Sequence, residues 1–388
     1  MSGTPDSVIQ IDADFPGGNI VFEGIEGNVV HLRQDLRDSE WWFYWYFRAR
    51  GCAGRTLVFQ FGEGGSPIGT NGPAVSLDGG RTWSWMGLEC LRGEASFEYT
   101  FPDPADDVRF CFAIPYLEEN LKSFLERHAE NASITVEELC RTRKGRSVEL
   151  LRLGKLEGEP THRILVTVRH HACEMMASYV LEGWMETVLS DNLDGEWYRD
   201  SVEMMVVPFV DKDGVEDGDQ GKFRRPHDHN RDYAGESIYP STAALRMLVP
   251  GWSNGILRAA IDLHCPHIRG KWNEFIYIVG SADERFWREQ CRLGSILERV
   301  RRGPIPYRAE DNLPYGVSWN KRPNVPGPSG HNYRSYGGWA REELGAELVA
   351  CFEVAYAKAR GVVVTQEAAR AFGRDLARAI REYLVGLC

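Results

Sequence analysis

Ile164-Leu165-Val166-Thr167-Val168, followed directly by Arg169-His170-His171-Ala172-Cys173-Glu174, is the stretch that decides the fold of this chain. An apolar run that enters a polar turn predicts a buried strand with functional side chains at its end. His171 and Glu174 stand three residues apart, so the turn can bring an imidazole and a carboxylate to one side. Zinc accepts both kinds of ligand. The stretch therefore predicts a strand that carries part of a metal site.

Three later segments supply what such a site still needs. A second apolar run, Ala259-Ala260-Ile261-Asp262-Leu263-His264, ends in a histidine, and a third, Leu348-Val349-Ala350-Cys351-Phe352-Glu353, ends in a carboxylate. Between the two histidine motifs lies the polar cluster Asp228-His229-Asn230-Arg231-Asp232-Tyr233. Sites in open α/β sheets form at the carboxyl ends of strands. We therefore expect His171, His264 and Glu353 at one shared site.

The four segments, in this order, resemble the zinc carboxypeptidases of the carboxypeptidase A superfamily, and most closely their cytosolic branch. That family carries His-x-x-Glu, then Asp-x-Asn-Arg, then Asp-Leu-His, then a Glu on a strand. The resemblance covers residues from about 115 to 388. It implies a metallopeptidase that hydrolyses C-terminal peptide bonds through a zinc-activated water. Its implied substrates are the free C-termini of peptides or proteins.

The resemblance also implies roles for the metal-site residues. His171, Glu174 and His264 would hold one Zn²⁺ per chain and leave a fourth position open, as catalytic zinc sites do. Asp228 would orient His171 from behind, because metal-bound imidazoles usually need such a partner. Glu353 would act as the general base that takes a proton from the attacking water.

The substrate-binding residues follow from the same resemblance. Asn230 and Arg231 would bind the terminal carboxylate of the substrate, a task that suits the planar fork of a guanidinium. The family places an arginine that stabilises the oxyanion shortly before this motif. Gly221-Lys222-Phe223-Arg224 fits that pattern, so Arg224 is the expected catalytic cation, with the adjacent Arg225 as the alternative.

The walls of the substrate pocket are less well defined by the sequence. The family often has a tyrosine upstream of the catalytic Glu, and Tyr333 is the expected residue, with Tyr336 as the alternative. In the branch that trims glutamate, a basic residue is expected in the specificity pocket. Arg334 and Arg341 lie in the matching stretch, and the sequence leaves the preferred C-terminal residue open.

Several neighbours of the motifs are interpreted as packing residues. His170 lacks the three-residue offset to Glu174 that His171 has, so we do not expect it to bind the metal. Cys173, Cys265 and Cys351 adjoin the motifs, and small buried thiols are usually packing residues. Nine scattered cysteines indicate reduced thiols rather than disulfides, which favours a cytoplasmic location.

The pattern of the chain changes near residue 114. Before it, short runs rich in aromatic and β-branched residues alternate with turns, which predicts an N-terminal antiparallel β-sandwich over residues 1–114. These runs are Asn28–Leu32, Trp41–Phe47, Thr56–Phe61 and Ala95–Phe101, and Asp78-Gly79 is the turn of a predicted hairpin. After it, helices alternate with strands, which predicts an α/β/α catalytic domain with a mixed sheet over residues 115–388. The stretch Pro323–Gly330 is predicted to be a loop.

Composition narrows the possible partners. The 388 residues carry a formal net charge of −11, and we find no basic patch with interleaved aromatics, so no nucleic-acid partner is expected. No apolar run approaches the roughly 20 residues that span a bilayer, so no membrane partner is expected. The first residues have neither the basic start nor the apolar core of a signal peptide. The oligomeric state is left open.

Two other functions remain compatible with the sequence. One is an amidohydrolase of the same superfamily that removes acyl groups from small N-acyl amino acids. The other is a non-catalytic protein that uses the pocket to hold carboxylates. The complete set of His171, Glu174, His264, Arg231 and Glu353 argues against the second, and the Asn-Arg pair with the predicted β-sandwich favours a peptidase over the first.

Overall fold

A computed structural model describes residues 8–39, 43–62, 67–321 and 333–387 of the chain. The predicted loop 323–330 and the first two residues of the predicted strand 41–47 lie outside the described residues. Within that strand, the backbone is extended into a ladder only from Tyr46 onward.

The N-terminal part of the chain contains two facing β-sheets. A five-stranded sheet has the order β1-β4-β9-β6-β7 and a four-stranded sheet the order β2-β3-β5-β8. All neighbours are antiparallel except β3 and β5, which are parallel, because the chain passes through β4 of the other sheet between them. The strands are β1 (Gln10–Asp12), β2 (Val21–Glu26), β3 (Val29–Arg33), β4 (Tyr46–Arg50), β5 (Thr56–Phe61), β6 (Ala74–Ser76), β7 (Ser84–Trp85), β8 (Ser96–Thr100) and β9 (Val108–Cys111).

Aromatic side chains fill the space between these two sheets. Phe47 of β4 lies 5.2 Å from Phe59 of β5, and Phe59 lies 5.1 Å from Phe110 of β9, measured between ring centroids. All three side chains are fully buried. Contacts of this kind join strands of different sheets, so the predicted sandwich is confirmed, with one parallel pair that was not predicted.

The predicted hairpin forms between β6 and β7. Asp78 accepts hydrogen bonds from the amides of Arg81 and Thr82 and from the hydroxyl of Thr82, which closes the turn. These donors hold the pKa of Asp78 near 2, well below its ordinary value, because they outweigh its partial burial.

The C-terminal part contains a seven-stranded mixed sheet of order β10-β11-β13-β12-β14-β16-β15. The central strands β13, β12, β14 and β16 are parallel, and β10, β11 and β15 pair antiparallel at the edges. The strands are β10 (Ile134–Arg141), β11 (Ser147–Gly154), β12 (His162–Val168), β13 (Val202–Val207), β14 (Leu257–His264), β15 (Tyr277–Ile278) and β16 (Leu348–Glu353), and a separate short ribbon joins β17 (Lys358–Ala359) to β18 (Val362–Val363).

Helices cover both faces of this sheet. One apolar core joins α2, α8 and the N-terminal sheets, and a second lies on the other face against α5 and α7. The helices are α1 (Glu118–Arg127), α2 (Met175–Leu189), α3 (Leu193–Ser201), α4 (Lys212–Asp217), α5 (Pro240–Ser253), α6 (Glu284–Val300), α7 (Tyr336–Glu343) and α8 (Gln366–Val385), with single 3₁₀ turns at His229–Arg231 and Ala309–Asp311. The predicted α/β/α layering is confirmed, and the division into domains at residue 114 stays a prediction. None of the described helices is long and apolar enough to cross a membrane.

Two glycines allow α2 and α8 to pack closely. A Cβ placed on Gly183 would lie 1.9 Å from the carbonyl oxygen of Arg370, and one on Gly373 would lie 2.0 Å from that of Val180. Atoms cannot approach so closely, so any larger side chain must push the helices apart. Both residues lie in helix interiors, where glycine is otherwise unfavourable, so close packing is the reason for their presence.

We expect Gly183→Ala to lower the free energy of unfolding by about 1–3 kcal/mol, because it overpacks the α2–α8 contact. The matched control is Gly251→Ala in α5, where a new Cβ meets nothing within 4 Å. That control should raise stability by roughly 0.5–1 kcal/mol through helix propensity alone. Urea unfolding followed by circular dichroism measures both, and equal effects of the two substitutions would contradict the packing argument.

Candidate active site

Three neighbouring parallel strands deliver the predicted site residues to one edge of the sheet. His171 follows the end of β12, and His264 and Glu353 are the last residues of β14 and β16. β14 and β16 pair with His264 directly opposite Glu353. The prediction that these three residues meet at the carboxyl ends of strands is therefore correct for their backbone positions.

A buried arginine shapes the turn after β12. Arg169 adopts a left-handed backbone conformation with φ of 63°, which reverses the chain at the strand end. Its guanidinium is buried and donates to the carbonyl oxygens of Ala172 and Tyr116, at 3.0 Å and 2.8 Å for Nε and Nη1. These hydrogen bonds fix the turn that carries His171 and begins α2 immediately after Glu174.

The turn brings three potential metal ligands together. His171 Nδ1 lies 2.9 Å from Glu174 Oε1, and His264 Nδ1 lies 2.7 Å from Glu174 Oε2. The two Nδ1 atoms are 3.2 Å apart. Ligand bonds of about 2.0–2.2 Å to one zinc ion require donor atoms at nearly this spacing. The predicted ligand set His171, Glu174 and His264 thus forms one group that can hold an ion.

The outer nitrogen of each imidazole faces a carboxylate. His171 Nε2 lies 3.6 Å from Asp228 Oδ2, and His264 Nε2 lies 2.6 Å from Asp262 Oδ2. This leaves Nδ1 of both rings for an ion, as expected when second carboxylates orient metal-bound imidazoles. Asp228 stands where it was predicted, whereas Asp262 was quoted in its motif without a role.

His170 lies behind this group rather than in it. Its Nδ1 is 2.8 Å from Asp262 Oδ1 and its Nε2 is 2.8 Å from the hydroxyl of Tyr233. His170, Asp262 and His264 could also form a three-donor group by distance, but hydrogen bonds already join them into a chain. Burial lowers the pKa of His170 and outweighs the neighbouring Asp262, so its ring is neutral. We interpret His170 as a buried support of the metal group.

A lysine that the sequence prediction overlooked points into the site. Lys222 Nζ lies 2.6 Å from Glu174 Oε1 and donates to the carbonyl oxygen of Cys265 at 3.0 Å. Burial would raise the pKa of Glu174, but Lys222 and the two imidazoles hold it well below the ordinary value. Lys222 stands two residues before Arg224 in the segment predicted to carry the catalytic cation, and of these two cations it is Lys222 that lines the cavity.

Arg224 lies outside the cavity. Its guanidinium makes ion pairs with Asp211, Asp219 and Asp38 at 2.8, 2.9 and 2.6 Å. These three carboxylates hold the side chain at a different cavity, which they line together with Arg224. The expectation that Arg224 faces the substrate is therefore corrected, and Arg225 does not line the cavity either.

Glu353 has the environment of a proton acceptor. It lines the cavity beside the metal group, and burial raises its pKa to about 7 against the opposing charge of Lys222. A carboxylate with a pKa near the working pH is well matched to general base catalysis.

The cavity that contains these residues has a volume of about 870 Å³. Arg231 lines it and makes no ion pair with any described residue, so its charge is available to a ligand. Asn230 also lines it, where its amide nitrogen donates to Asp262 Oδ2 at 3.4 Å and its Oδ1 accepts from the Tyr336 amide and from Arg231, both at 3.2 Å. The predicted binding site for a substrate carboxylate thus lies at Arg231, whereas the Asn230 side chain is held by Asp262, Tyr336 and Arg231.

The two candidate tyrosines differ in position. Tyr333 is half-buried at the cavity wall, where its hydroxyl donates to the carbonyl oxygen of Pro226 at 3.2 Å. Tyr336 is buried, with its ring 5.3 Å from that of His170. Both residues line the cavity, and Tyr333 has the more exposed side chain of the two.

The two candidate arginines for a specificity pocket also differ. Arg334 pairs with Glu342 and Glu343. Arg341 lines the cavity without a hydrogen bond or ion pair to any described residue. Its guanidinium lies 6.0 Å from the Phe286 ring, and Glu342 and Asp283 act on its charge from a longer distance. Burial lowers the pKa of Arg341 from a very high ordinary value, so it stays charged.

Comparison with solved structures identifies the fold. A metallo-carboxypeptidase from Burkholderia cenocepacia superposes with a TM-score of 0.78 at 18% identity, covering 98% of this chain and 100% of that one. A metallo-carboxypeptidase from Pseudomonas aeruginosa, solved with (2-guanidinoethylmercapto)succinic acid, gives 0.75 at 17% identity, with coverage of 98% and 100%. At these identities the likeness establishes the fold, which is that of the metallo-carboxypeptidases.

Sequence comparison connects the chain to named relatives. Cytosolic carboxypeptidase 2 of Xenopus tropicalis is 27% identical over 260 residues, and cytosolic carboxypeptidase 3 of Mus musculus is 25% identical over 195 residues. These matches cover 58% and 47% of this chain but only 27% and 19% of the relatives' own length. No family model matches the chain. The predicted resemblance to the cytosolic branch of the zinc carboxypeptidases is confirmed.

The metal group gives a direct test. We expect the purified protein to bind about one zinc ion per chain, and His264→Ala to abolish this binding because two ligands hold zinc weakly. Asp262→Asn should preserve the fold but weaken zinc binding by about 10–100-fold, since it disturbs the partner of His264. Competition with a zinc chelator dye measures the affinities, and circular dichroism checks the fold.

The control for this experiment is His31→Ala, which removes a histidine of β3 that does not line the cavity. It should bind zinc like the unmodified protein. Stoichiometric zinc in the His264→Ala protein would exclude the proposed ligand set.

Proposed function

We propose that this protein is a zinc-dependent carboxypeptidase that removes residues from the free C-termini of peptides or proteins. The observation that carries the proposal is the convergence, in one cavity, of a three-donor metal group, a carboxylate of raised pKa and an unpaired arginine. The similarity to cytosolic carboxypeptidases supports the same activity. A cytoplasmic location stays a prediction.

His171, Glu174 and His264 would hold the zinc ion. When bound there, zinc would lower the pKa of a water molecule and polarise the scissile carbonyl. Two observations support the assignment of this group to a zinc ion. Three donor atoms converge, and Asp228 and Asp262 face the outer nitrogens of the imidazoles, so Nδ1 of each ring is available. Because the ammonium of Lys222 stabilises the charged form of Glu174, that carboxylate stays ionised and can bind a metal.

Glu353 would take the proton of the attacking water and pass it to the leaving amine. Its raised pKa makes both transfers accessible near neutral pH. The pairing of β14 with β16 supports this role. It places Glu353 directly opposite His264, so the carboxylate lies beside the metal group at the same edge of the sheet.

Two cations would act on the substrate. Lys222 would stabilise the negative charge that develops on the scissile carbonyl oxygen, the role first expected of Arg224, since its ammonium lines the cavity beside the metal group. Arg231 would bind the terminal carboxylate, because no carboxylate among the described residues forms an ion pair with it. Tyr333 would close over the substrate from the cavity wall.

We also propose that acidic C-terminal side chains are preferred. Of the two candidate arginines, Arg341 makes no ion pair with any described residue, whereas Arg334 is already neutralised by two glutamates. An unpaired guanidinium in a half-buried wall gains most from a carboxylate ligand. A peptide library with randomised C-termini, analysed by mass spectrometry after incubation, tests both the activity and this preference.

The alternative functions have less support. A deacylase for small N-acyl amino acids and a non-catalytic carboxylate-binding protein are not favoured by any of the comparisons. A binding protein would have no need of Glu353 at a raised pKa. The same library experiment distinguishes them, because neither alternative releases C-terminal residues from peptides.

Glu353→Gln should reduce kcat by roughly 10²–10⁴-fold, because glutamine keeps the volume but cannot accept the proton. Zinc content and KM should stay near those of the unmodified protein. Single-turnover peptide hydrolysis and metal analysis measure these quantities. Glu284→Gln, at the exposed start of α6, is the control and should have normal activity. A Glu353→Gln protein that hydrolyses peptides at full rate, or that loses its zinc, would remove Glu353 from the mechanism.

Arg231→Ala should impair binding of peptides with a free C-terminus by on the order of 2–5 kcal/mol, as expected for a lost buried charge pair. C-terminally amidated analogues lack the anion and should be affected far less. Arg231→Lys keeps the positive charge but loses the two-pronged guanidinium. Its kcat/KM on free C-termini should therefore lie between that of Arg231→Ala and that of the unmodified protein. Equal losses on free and amidated peptides, measured as kcat/KM, would mean that Arg231 has a structural role.

A further inference from the structure

Two of the buried oxygen atoms beside the metal group have no hydrogen-bond partner among the residues that the structure describes. They are Oε2 of Glu353 and the hydroxyl of Tyr277, and both residues line the cavity. The Trp319 indole interacts with the phenol oxygen at longer range, but an indole N–H can only donate, so the phenol proton keeps no acceptor. One atom thus needs a donor and the other has a proton to donate. Buried polar atoms of this kind are nearly always paired in folded proteins.

The sheet register brings these two residues together. β15 pairs antiparallel with β16, and Tyr277 lies directly opposite Glu353. Residues opposite each other in an antiparallel pair project their side chains to the same face, with Cβ atoms about 4.5–5.5 Å apart. Glu353 is also opposite His264 on the other side. His264, Glu353 and Tyr277 therefore form one row across three strands, with the carboxylate in the middle.

Nothing in the chemistry already proposed uses Tyr277. Its ring is fully buried and packs 5.7 Å from Trp272, which fixes the side chain in place. The negative charge of Glu353 acts on the phenol, which agrees with their closeness in the row. Burial also raises the pKa of this phenol well above its ordinary value, so it keeps its proton and remains a donor.

We propose that Tyr277 is a positioning residue for the general base: its hydroxyl, which makes no hydrogen bond to Glu353 in this structure, comes within reach of Oε2 through side-chain rotation and donates to it. The bond holds Oε2 on the side of Tyr277 and leaves Oε1, toward His264, as the oxygen that accepts the proton of the attacking water. This inference rests on the proposed function for its catalytic consequence. The hydrogen bond itself can be tested without any activity.

The stability test is a double-mutant cycle of the unmodified protein, Tyr277→Phe, Glu353→Leu and the double variant. If the hydrogen bond forms, Tyr277→Phe raises the unfolding constant about tenfold when Glu353 is present, since bonds to a charged group are strong. In the Glu353→Leu background the hydroxyl has lost its acceptor, and its removal should be neutral or stabilising. Equal effects in the two backgrounds would overturn the proposal, whether or not the protein is an active peptidase.

The kinetic test uses Tyr277→Phe in the zinc-loaded protein. We expect kcat to fall about tenfold while KM and zinc content stay unchanged, because only the orientation of the base is affected. A rise in KM at unchanged kcat would mean that the hydroxyl binds substrate instead, and normal values of both would exclude a role. If the unmodified protein releases no C-terminal residues, the proposed function fails and the stability cycle alone decides the hydrogen bond.

Tyr198→Phe is the matched control. Its hydroxyl is also buried, but it already donates to the carbonyl oxygen of Ala377 at 2.8 Å, where α3 meets α8. Removing it should destabilise the protein in both Glu353 backgrounds equally and leave kcat unchanged. A fall in kcat for Tyr198→Phe would mean that loss of stability alone explains the effect at Tyr277, which would overturn the proposal.

Discussion

The site depends on the parallel register of three strands. β12 pairs with β14 and β14 with β16, without a register shift over their last five residues, so the three strands end side by side. A slip of one residue in either pairing would turn His264 or Glu353 to the opposite face, since side chains alternate along a strand. The apolar runs of these strands are buried on both faces and make such a slip costly. Packing of the apolar sheet core, rather than interactions among the polar side chains, therefore sets the positions of the residues in the site.

The N-terminal sheets hold the segment that carries Lys222. The Gln220 side chain accepts hydrogen bonds from the amides of Phe43 and Tyr44, both at 3.0 Å, while the Gln220 carbonyl oxygen accepts one from Cys173 at 3.1 Å. Between Gln220 and Lys222, a Cβ on Gly221 would lie 2.2 Å from the amide nitrogen of Ala172, so glycine is needed for this close approach. The segment thus lies clamped between the predicted sandwich and the turn of His171. The N-terminal part of the chain thus supports one wall of the site and also supplies Asp38, one of the three carboxylates that hold Arg224 away from the cavity.

Sequence reasoning succeeded where local pattern and chemistry agreed. Apolar runs located β12, β14 and β16, and the residues that end them predicted the metal group and Glu353. It failed where tertiary contacts decide orientation. Lys222 and Arg224 are both cations of one segment, and only the three carboxylates around Arg224 reveal which of them faces the cavity. Tyr277 lies in β15, a strand of only two residues, and no pattern in the sequence predicts that β15 pairs with β16.

The carboxylates that orient the imidazoles also couple metal binding to pH. Burial opposes a charge on His171 and His264, but Glu174 with Asp228 or Asp262 outweighs burial and raises the pKa of both rings. The raised pKa values favour the protonated form of both imidazoles, whereas an ion needs the nitrogen lone pairs. Binding must release these protons, so metal affinity decreases as the pH falls. A bound ion would also neutralise the charge of Glu174, so the attraction between that carboxylate and the ammonium of Lys222 would become weaker. The ammonium would then be freer to interact with an oxygen atom of the substrate.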